Sequence, residues 1–449
     1  MIRRLLAVVA ALLALSGCAP EKPPESPRLL IIGLDCATWN VLTPMIEAGE
    51  LPTMAKLVRE GSSGILKSGT PIQSPQMWTT IATGEVPERH GIEHFVVEVP
   101  GTDHQAPVSG NMRKVKAFWN ILSERGVSVG VVGWWPSWPA EQVDGFMISD
   151  RAWPINWSLH GVPYGASRDA QGRLLVQEFP GRTHPEALYK EFEPFIVTEE
   201  DVTPSEIAFL FSGAELTDPA RDFHATWVFA KDKTFAQAGL HFLTTLKPRV
   251  MAVYFQGTDV VQHNYWGYRP EEGLRVAPAD ARKYGAVVKS YYQYMDRVIA
   301  DYIATAGSDY AVLVVSDHGF ETKSDLKERW LRGEAIRTVE GGKDVPWDHA
   351  EDGVLIMAGP GIRAGHRITT AASVVDVTPT ILAYLGLPAA KDMDGRPLTD
   401  VLDPSLLKAH PIEYVETYET GERPGDRTPL ESPLDEGMKE KLRALGYIE

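Results

Sequence analysis

The sequence predicts an α/β protein: a doubly wound, mostly parallel sheet sandwiched by helices, with a cap inserted into it. Three observations point there. Five short apolar runs recur along the chain, most of them rich in β-branched residues and bounded by Gly or polar residues. Helical patterns lie between them, the alternation expected of parallel strands joined by crossovers. The stretch 151–221 breaks this rhythm with Pro, Gly and aromatic residues and reads as a cap.

The first residues read as a targeting segment. Arg3 and Arg4 precede an apolar run, Leu5–Leu15, that is short for a membrane span. The following LSGC, Leu15–Cys18, is similar to the lipobox of bacterial lipoproteins. That resemblance implies a signal peptide over 1–17, an acylated Cys18, and a Pro-rich tether over 18–28. It also implies a lipid-anchored chain at the cell envelope, on the outer membrane or periplasmic face if the source is Gram-negative. A plain secretory signal with an incidental Cys is the competing reading.

The predicted strands are Leu29–Asp35, Val127–Trp134, Val250–Phe255, Tyr310–Asp317 and Gly353–Gly359, all read as buried and parallel. The predicted helices are Pro52–Glu60, Lys114–Arg125, Ala225–Thr245, Ala286–Ala306 and Val374–Leu385. The core domain spans 29–402, and a polar, Pro-rich tail follows over 403–449. The tail ends in a predicted helix, with Ser432 as N-cap and Pro433 as its first residue. Leu434, Met438, Leu442 and Leu445 share one face, which predicts docking on the domain.

The 449 residues carry a formal charge of -16. That excludes a basic footprint for nucleic acid, but not an anionic substrate, because bound metal ions reverse a local field. The two cysteines are Cys18 and Cys36, so acylation of Cys18 leaves Cys36 without a disulfide partner.

Acids and imidazoles recur just beyond strands. Asp35 closes the first, Asp317 and His318 close another, Asp259 and His263 follow a third, and His349 precedes the last. In an open α/β sheet the carboxyl ends of strands are where ligands bind. Asp259 and His263 reach one ion if the turn between them is helical. Ser74 lies in SGTPIQSPQMWTTIATGEVPERHGI, between Pro71 and Pro75, where a helix from about Gln76 begins. It reads as a nucleophile, an N-cap, or both.

Together these segments resemble the alkaline phosphatase superfamily, most closely its type I phosphodiesterase/nucleotide pyrophosphatase branch. The segments are IIGLDCATW, AGELPTMAKLVREG, SPQMWTTIATGEVPERHGI, DVVQH, SDHGF and DVTPTILAYLGLP, in order. The resemblance implies an alkaline phosphatase-like fold and two divalent metal ions. Asp35, Asp317, His318 and Ser74 would hold one ion, and Asp259, His263 and His349 the other. Mixed Asp/His ligation suits Zn²⁺, with Mn²⁺ or Mg²⁺ as alternatives. Three carboxylates against two divalent ions leave one positive charge, which a Ser74 alkoxide neutralises. The implied activity is hydrolysis of phosphodiester or pyrophosphate bonds through a phosphoserine. The substrate would be a small phosphate ester or an envelope component.

The chain departs from the branch in places. An Asn that contacts a phosphoryl oxygen is expected near Phe95, and EHFVVEV contains none. Cys36 stands where Gly is common, read as neutral packing or a thiol–metal contact. His90 matches the pattern and reads as structural. Trp134, Trp135, Trp138, Trp153 and Trp157 form either core or a stacking rim. The competing activities are a phosphomonoesterase, which needs an added cationic clamp, and a sulfatase, whose Cys- or Ser-x-Pro-x-Arg segment SPQMW lacks. A non-catalytic envelope binding protein that keeps the fold is the fourth reading.

Overall fold

The computed structural model describes residues 27–154, 166–213, 216–334, 345–420, 427–445 and 448. The expected signal peptide, Cys18 and most of the tether lie outside the described residues, as does Trp157.

The strand Arg28–Leu34 sits at the centre of a ten-stranded sheet, paired in parallel with Val250–Phe255 on one side and Tyr310–Val315 on the other. Its side chains alternate between two cores. Leu30, Ile32 and Leu34 enter one; Leu29 and Ile31 enter the other. All five are at most 1% exposed, so each contributes roughly 1.5–3 kcal/mol by burial. Beyond Val250–Phe255 come Val129–Val132, Gly145–Ile148 and Thr183–His184. Beyond Tyr310–Val315 come Asp352–Ala358, Ser62–Lys67 and the short strands His366–Arg367 and Ala372–Ser373. Helices Pro52–Glu60, Phe118–Glu124, Pro219–Leu246, Val287–Ala306 and Val377–Tyr384 match the predicted patterns within their cores.

One strand runs against expectation. The predicted Gly353–Gly359 strand, observed as Asp352–Ala358, is antiparallel to both neighbours. After Tyr310–Val315 the chain turns into a two-stranded ribbon, Gly319–Thr322 with Trp347–Ala350. It then enters the sheet from the carboxyl end of Tyr310–Val315, without the crossover that a parallel strand requires. The strand Ser62–Lys67 was not predicted, because SSGILK has too few apolar residues to stand out. Of the predicted cap, Thr183–His184 joins the main sheet edge, antiparallel to Gly145–Ile148. The rest includes the small ribbon Ala166–Arg168 with Leu174–Val176 and the helix Pro204–Leu210.

The terminal helix begins at Asp435, two residues later than the Ser432–Pro433 start predicted. Ser432 instead makes a local turn, its Oγ accepting from Leu434 N–H at 3.3 Å and donating to Asp435 Oδ1 at 2.7 Å. Leu434 and Leu442 are buried, as the apolar face predicted. The helix is anchored by Arg151, 1% exposed, which donates to Asp435 Oδ1 at 2.7 Å and to the carbonyls of Pro107 and Val108. Among the described residues no helix is long and apolar enough to cross a membrane.

Candidate active site

The three central strands run side by side and in the same direction, so the residues just past their carboxyl ends meet. Asp35 follows Leu34, Asp317 lies two residues past Val315, and the helix Gly257–Tyr265 starts after Phe255. That helix places Asp259 and His263 one turn apart, with Asp259 Oδ1 3.2 Å from His263 Nε2. Its start is pinned by Asp232, which accepts from Gln256 and Gly257 N–H and from the Tyr291 hydroxyl. Gly257 has no alternative here, since a Cβ would fall 1.9 Å from the Tyr291 oxygen. His349 arrives on the ribbon, opposite Phe320, and its Nε2 lies 2.8 Å from His263 Nε2 and 3.4 Å from Asp259 Oδ1.

Ser74 begins the helix Ser74–Thr83 and is 1% exposed. The N-cap is Gln73, not Ser74, so Ser74 Oγ is not spent on capping. Its Oγ lies 3.4 Å from Asp35 Oδ1 and 3.4 Å from His318 Nε2. The rings of His318 and His349 have centroids 4.1 Å apart, so the two clusters adjoin. All seven residues expected from the sequence therefore converge, and each is buried or nearly so.

This donor set fits divalent cations. His318 Nδ1 faces the Gly319 carbonyl at 3.1 Å, so Nδ1 carries the proton and Nε2 presents a lone pair. That lone pair faces Asp35 Oδ1 at 3.5 Å and Asp317 Oδ2 at 3.4 Å, which is repulsive unless positive charge lies among them. Asp317 Oδ2 is buried with no hydrogen-bond partner. Ligand atoms of Asp35, Asp317 and His318 lie within 4.8 Å of one another, as do those of Cys36, Asp259, His318 and His349. Burial, then Asp259, pushes the Asp35 carboxyl up to about 7. Burial and the Asp35 charge push Asp317 well up too. Burial also acts on Asp259, but the His263 and His349 imidazoles outweigh it and hold that carboxyl well below the usual range. Burial and His349 keep His318 neutral, as a ligand must be.

Sequence reasoning missed the groups that hold these carboxylates. The Tyr254 hydroxyl donates to Asp35 Oδ2, and Cys36 N–H donates to Asp317 Oδ1 at 3.2 Å. Cys36 sits at φ 62, the left-handed region that favours glycine, and its thiol donates to the Gly319 carbonyl at 3.3 Å. Burial pushes that thiol well up, so it stays protonated in its carbonyl contact. Phe95 is buried against Trp135, with ring centroids 5.6 Å apart, so no polar side chain stands where the Asn was expected. Trp134 is core, packed on Trp78, Phe118 and Trp119, whereas Trp135 and Trp153 wall a cavity. A groove of about 550 Å³ opens beside His263, between Arg221, Tyr268, Trp330 and Trp347.

His90 is fully buried and braces the Ser74 helix. Ile92 N–H donates to His90 Nδ1 at 3.1 Å, so Nε2 carries the proton and donates to Thr80 Oγ1 at 3.0 Å. Thr80 in turn donates to the Gln76 carbonyl. Burial, then the nearby Arg113 and Lys114, lowers its pKa to about 3. A histidine depressed from its usual 6.5 contributes stability that is complete above that value and is lost as pH falls toward 3. Each pH unit in that window is worth up to about 1.4 kcal/mol for one proton. His90→Gln is expected to unfold at a lower temperature than the parent at pH 7.5, with the gap narrowing by pH 4.5. A gap that is constant or widens on acidification would contradict the neutral, buried assignment.

The sheet and its flanking helices make an alkaline phosphatase-like α/β fold. A family model, type I phosphodiesterase / nucleotide pyrophosphatase, matches residues 29–388, and the chain belongs to that family of phosphoric ester hydrolases. Wild-type alkaline phosphatase PafA is similar in structure, with a TM-score of 0.52 at 13% identity, over 85% of this chain and 100% of that one. Inactive murine ectonucleotide pyrophosphatase / phosphodiesterase 5 in complex with AMP aligns at TM-score 0.49 and 12% identity, over 84% of this chain and 100% of that one. Human arylsulfatase K is 32% identical over 102 residues, 23% of this chain. The zebrafish (Danio rerio) protein is 29% identical over the same length. The chain spans 17% of the length of these two curated relatives.

Proposed function

We propose that the chain hydrolyses phosphodiester or pyrophosphate bonds, with Ser74 as nucleophile at a two-metal site. One observation carries the reading. A buried serine oxygen lies 3.4 Å from both a carboxylate oxygen and an imidazole lone pair of a cluster that holds three acids and three histidines. Asp35, Asp317 and His318 would hold one ion beside Ser74, and Asp259, His263 and His349 the other. Two divalent ions supply Lewis-acid charge, which favours an ionised serine and neutralises phosphoryl oxygens.

The protein's own residues do the rest. The Ser74–Thr83 helix directs its N-terminal end at the anion that Ser74 attacks. Tyr254 and the Cys36 N–H fix the Asp35 and Asp317 carboxylates, so that little reorganisation accompanies charge development. Ser74 Oγ forms the new P–O bond as the leaving oxygen departs, and hydrolysis of the phosphoserine restores the hydroxyl. The groove beside His263 has room for the departing group. A sulfatase reading lacks the residue pattern, since Ser74 is followed by Pro75, Gln76, Met77 and Trp78.

Lipid anchoring through Cys18 at the cell envelope is part of the same proposal, as is Zn²⁺ in preference to Mn²⁺ or Mg²⁺. A single preparation tests all three. Metal analysis and assays on an aryl phosphate diester, monoester and sulfate should show two ions per chain and fastest cleavage of the diester. The activity should follow the membrane fraction unless Cys18 is replaced by Ala. Preference for the monoester or sulfate would overturn the substrate class, and a soluble parent chain would overturn the anchor.

A further inference from the structure

Two lysines converge on a neutral acceptor next to the acid cluster. Lys231, on the helix Pro219–Leu246, and Lys441, on the terminal helix, each donate to Gln256 Oε1 at 2.9 Å. The two ammonium nitrogens are thus no farther apart than twice that distance. Lys231 is 8% exposed, and Lys441 lies over the Trp227 ring, 3.9 Å from its centroid. Among the described residues neither forms an ion pair. The nearby carboxylates, Asp150 in the cavity wall among them, also serve other donors. Asp232 accepts from Gln256 and Gly257 N–H and from Tyr291, Asp150 Oδ1 accepts from Ser137 and Trp138 N–H, and Asp435 is paired with Arg151.

The lysines line a cavity of about 50 Å³, walled by Trp135, Trp153 and Trp227 and closed by Met438 and Leu442. A single water needs about 10–15 Å³ by the same measure, so a small oxyanion fits. Two ammonium groups this close repel each other, and an anion bound between them lowers that cost. Burial depresses both amines, and for Lys441 the neighbouring Lys231 adds to it. Gln256, which lines the cavity, sits between the strand Val250–Phe255 and the helix that carries Asp259, so the cavity adjoins the acid cluster. Yet none of the seven cluster residues lines it. An anion held there is therefore not the one that Ser74 attacks.

We propose that Lys231 and Lys441 form a second anion subsite, which binds a carboxylate or phosphate group on the arm of the substrate that stays with the attacked phosphorus. The inference rests on the phosphoesterase reading and narrows it to phosphate esters that carry a second anionic group. It also gives the terminal helix a role in substrate selection, since it delivers Lys441.

The test compares two 4-nitrophenyl alkyl phosphate diesters, one whose alkyl arm ends in carboxylate and one whose arm ends in methyl, each at two arm lengths. The parent should prefer the charged arm. Lys441→Gln and Lys231→Gln should each lower the charged-to-neutral ratio of kcat/KM by about tenfold or more, mainly through KM, the worth of one hydrogen bond to a charged group. Lys441→Arg should keep most of the preference. An unchanged ratio, or an equal loss on both esters, would overturn the subsite while leaving the hydrolase reading intact. If the parent cleaves neither ester, the hydrolase reading fails, and tungstate soaked into crystals of the full chain decides the subsite alone. A tungsten peak between the two lysine nitrogens, lost in Lys231→Gln/Lys441→Gln, supports it; no peak in the parent overturns it.

Discussion

Ser74→Ala is expected to abolish turnover, by roughly 10³-fold or more in kcat, while the protein keeps its metal and its fold. The size follows from the position of the hydroxyl. It is buried, it is not used as a helix cap, and it lies 3.4 Å from Asp35 Oδ1 and from His318 Nε2. Removing one oxygen leaves the Asp35, Asp317 and His318 donors in place, and their hydrogen bonds to Tyr254, Cys36 and Gly319 do not involve Ser74. Metal content by elemental analysis and thermal unfolding should thus match the parent. Activity within about tenfold of the parent would remove serine from the mechanism, because a side chain that only positioned substrate would cost far less.

Asp259→Asn is expected to be as damaging for a different reason. Asp259 lies within 3.2–3.4 Å of both His263 and His349, so its charge ties together the second cluster. The amide keeps the shape and removes the anion that a divalent ion needs. One ion per chain should be lost and kcat/KM should fall by roughly 10³. A readout independent of activity follows from linkage, since a bound ion stabilises the folded chain. Chelator should lower the unfolding temperature of the parent more than that of Asp259→Asn. An equal drop would place no ion at Asp259.

Much of this site was legible in the sequence because it obeys strand-end logic. Asp35, Asp317, His318 and Asp259 each follow an apolar run, and the three runs prove to be neighbouring parallel strands. Asp259 and His263 also had the spacing of one helical turn, which the helix Gly257–Tyr265 supplies. His349 was harder. It sits on a ribbon with Gly319–Thr322, whose short mixed-polarity strands leave no periodic trace, so the sequence marked it only as a histidine shortly before the last apolar run. The same weakness hid Ser62–Lys67, and its continuous apolar run made Asp352–Ala358 look like another buried parallel strand.

The lysine pair was invisible for a more basic reason. Its members meet only in three dimensions, and Lys231 lies within a long helix whose apolar pattern needs no explanation. A trace of Lys441 was present. In the terminal helix it falls on the face of Leu434 and Met438, where a charged residue has no place unless something inside receives it. Buried Arg151 was equally unmarked, since its partner Asp435 lies in the tail.

The most direct test of the two-metal account is anomalous scattering from crystals of the metal-loaded protein. Two peaks are expected, one among Asp35, Asp317, His318 and Ser74 Oγ, the other among Asp259, His263 and His349. A single peak, or a Ser74 oxygen outside bonding distance of the first, would contradict it.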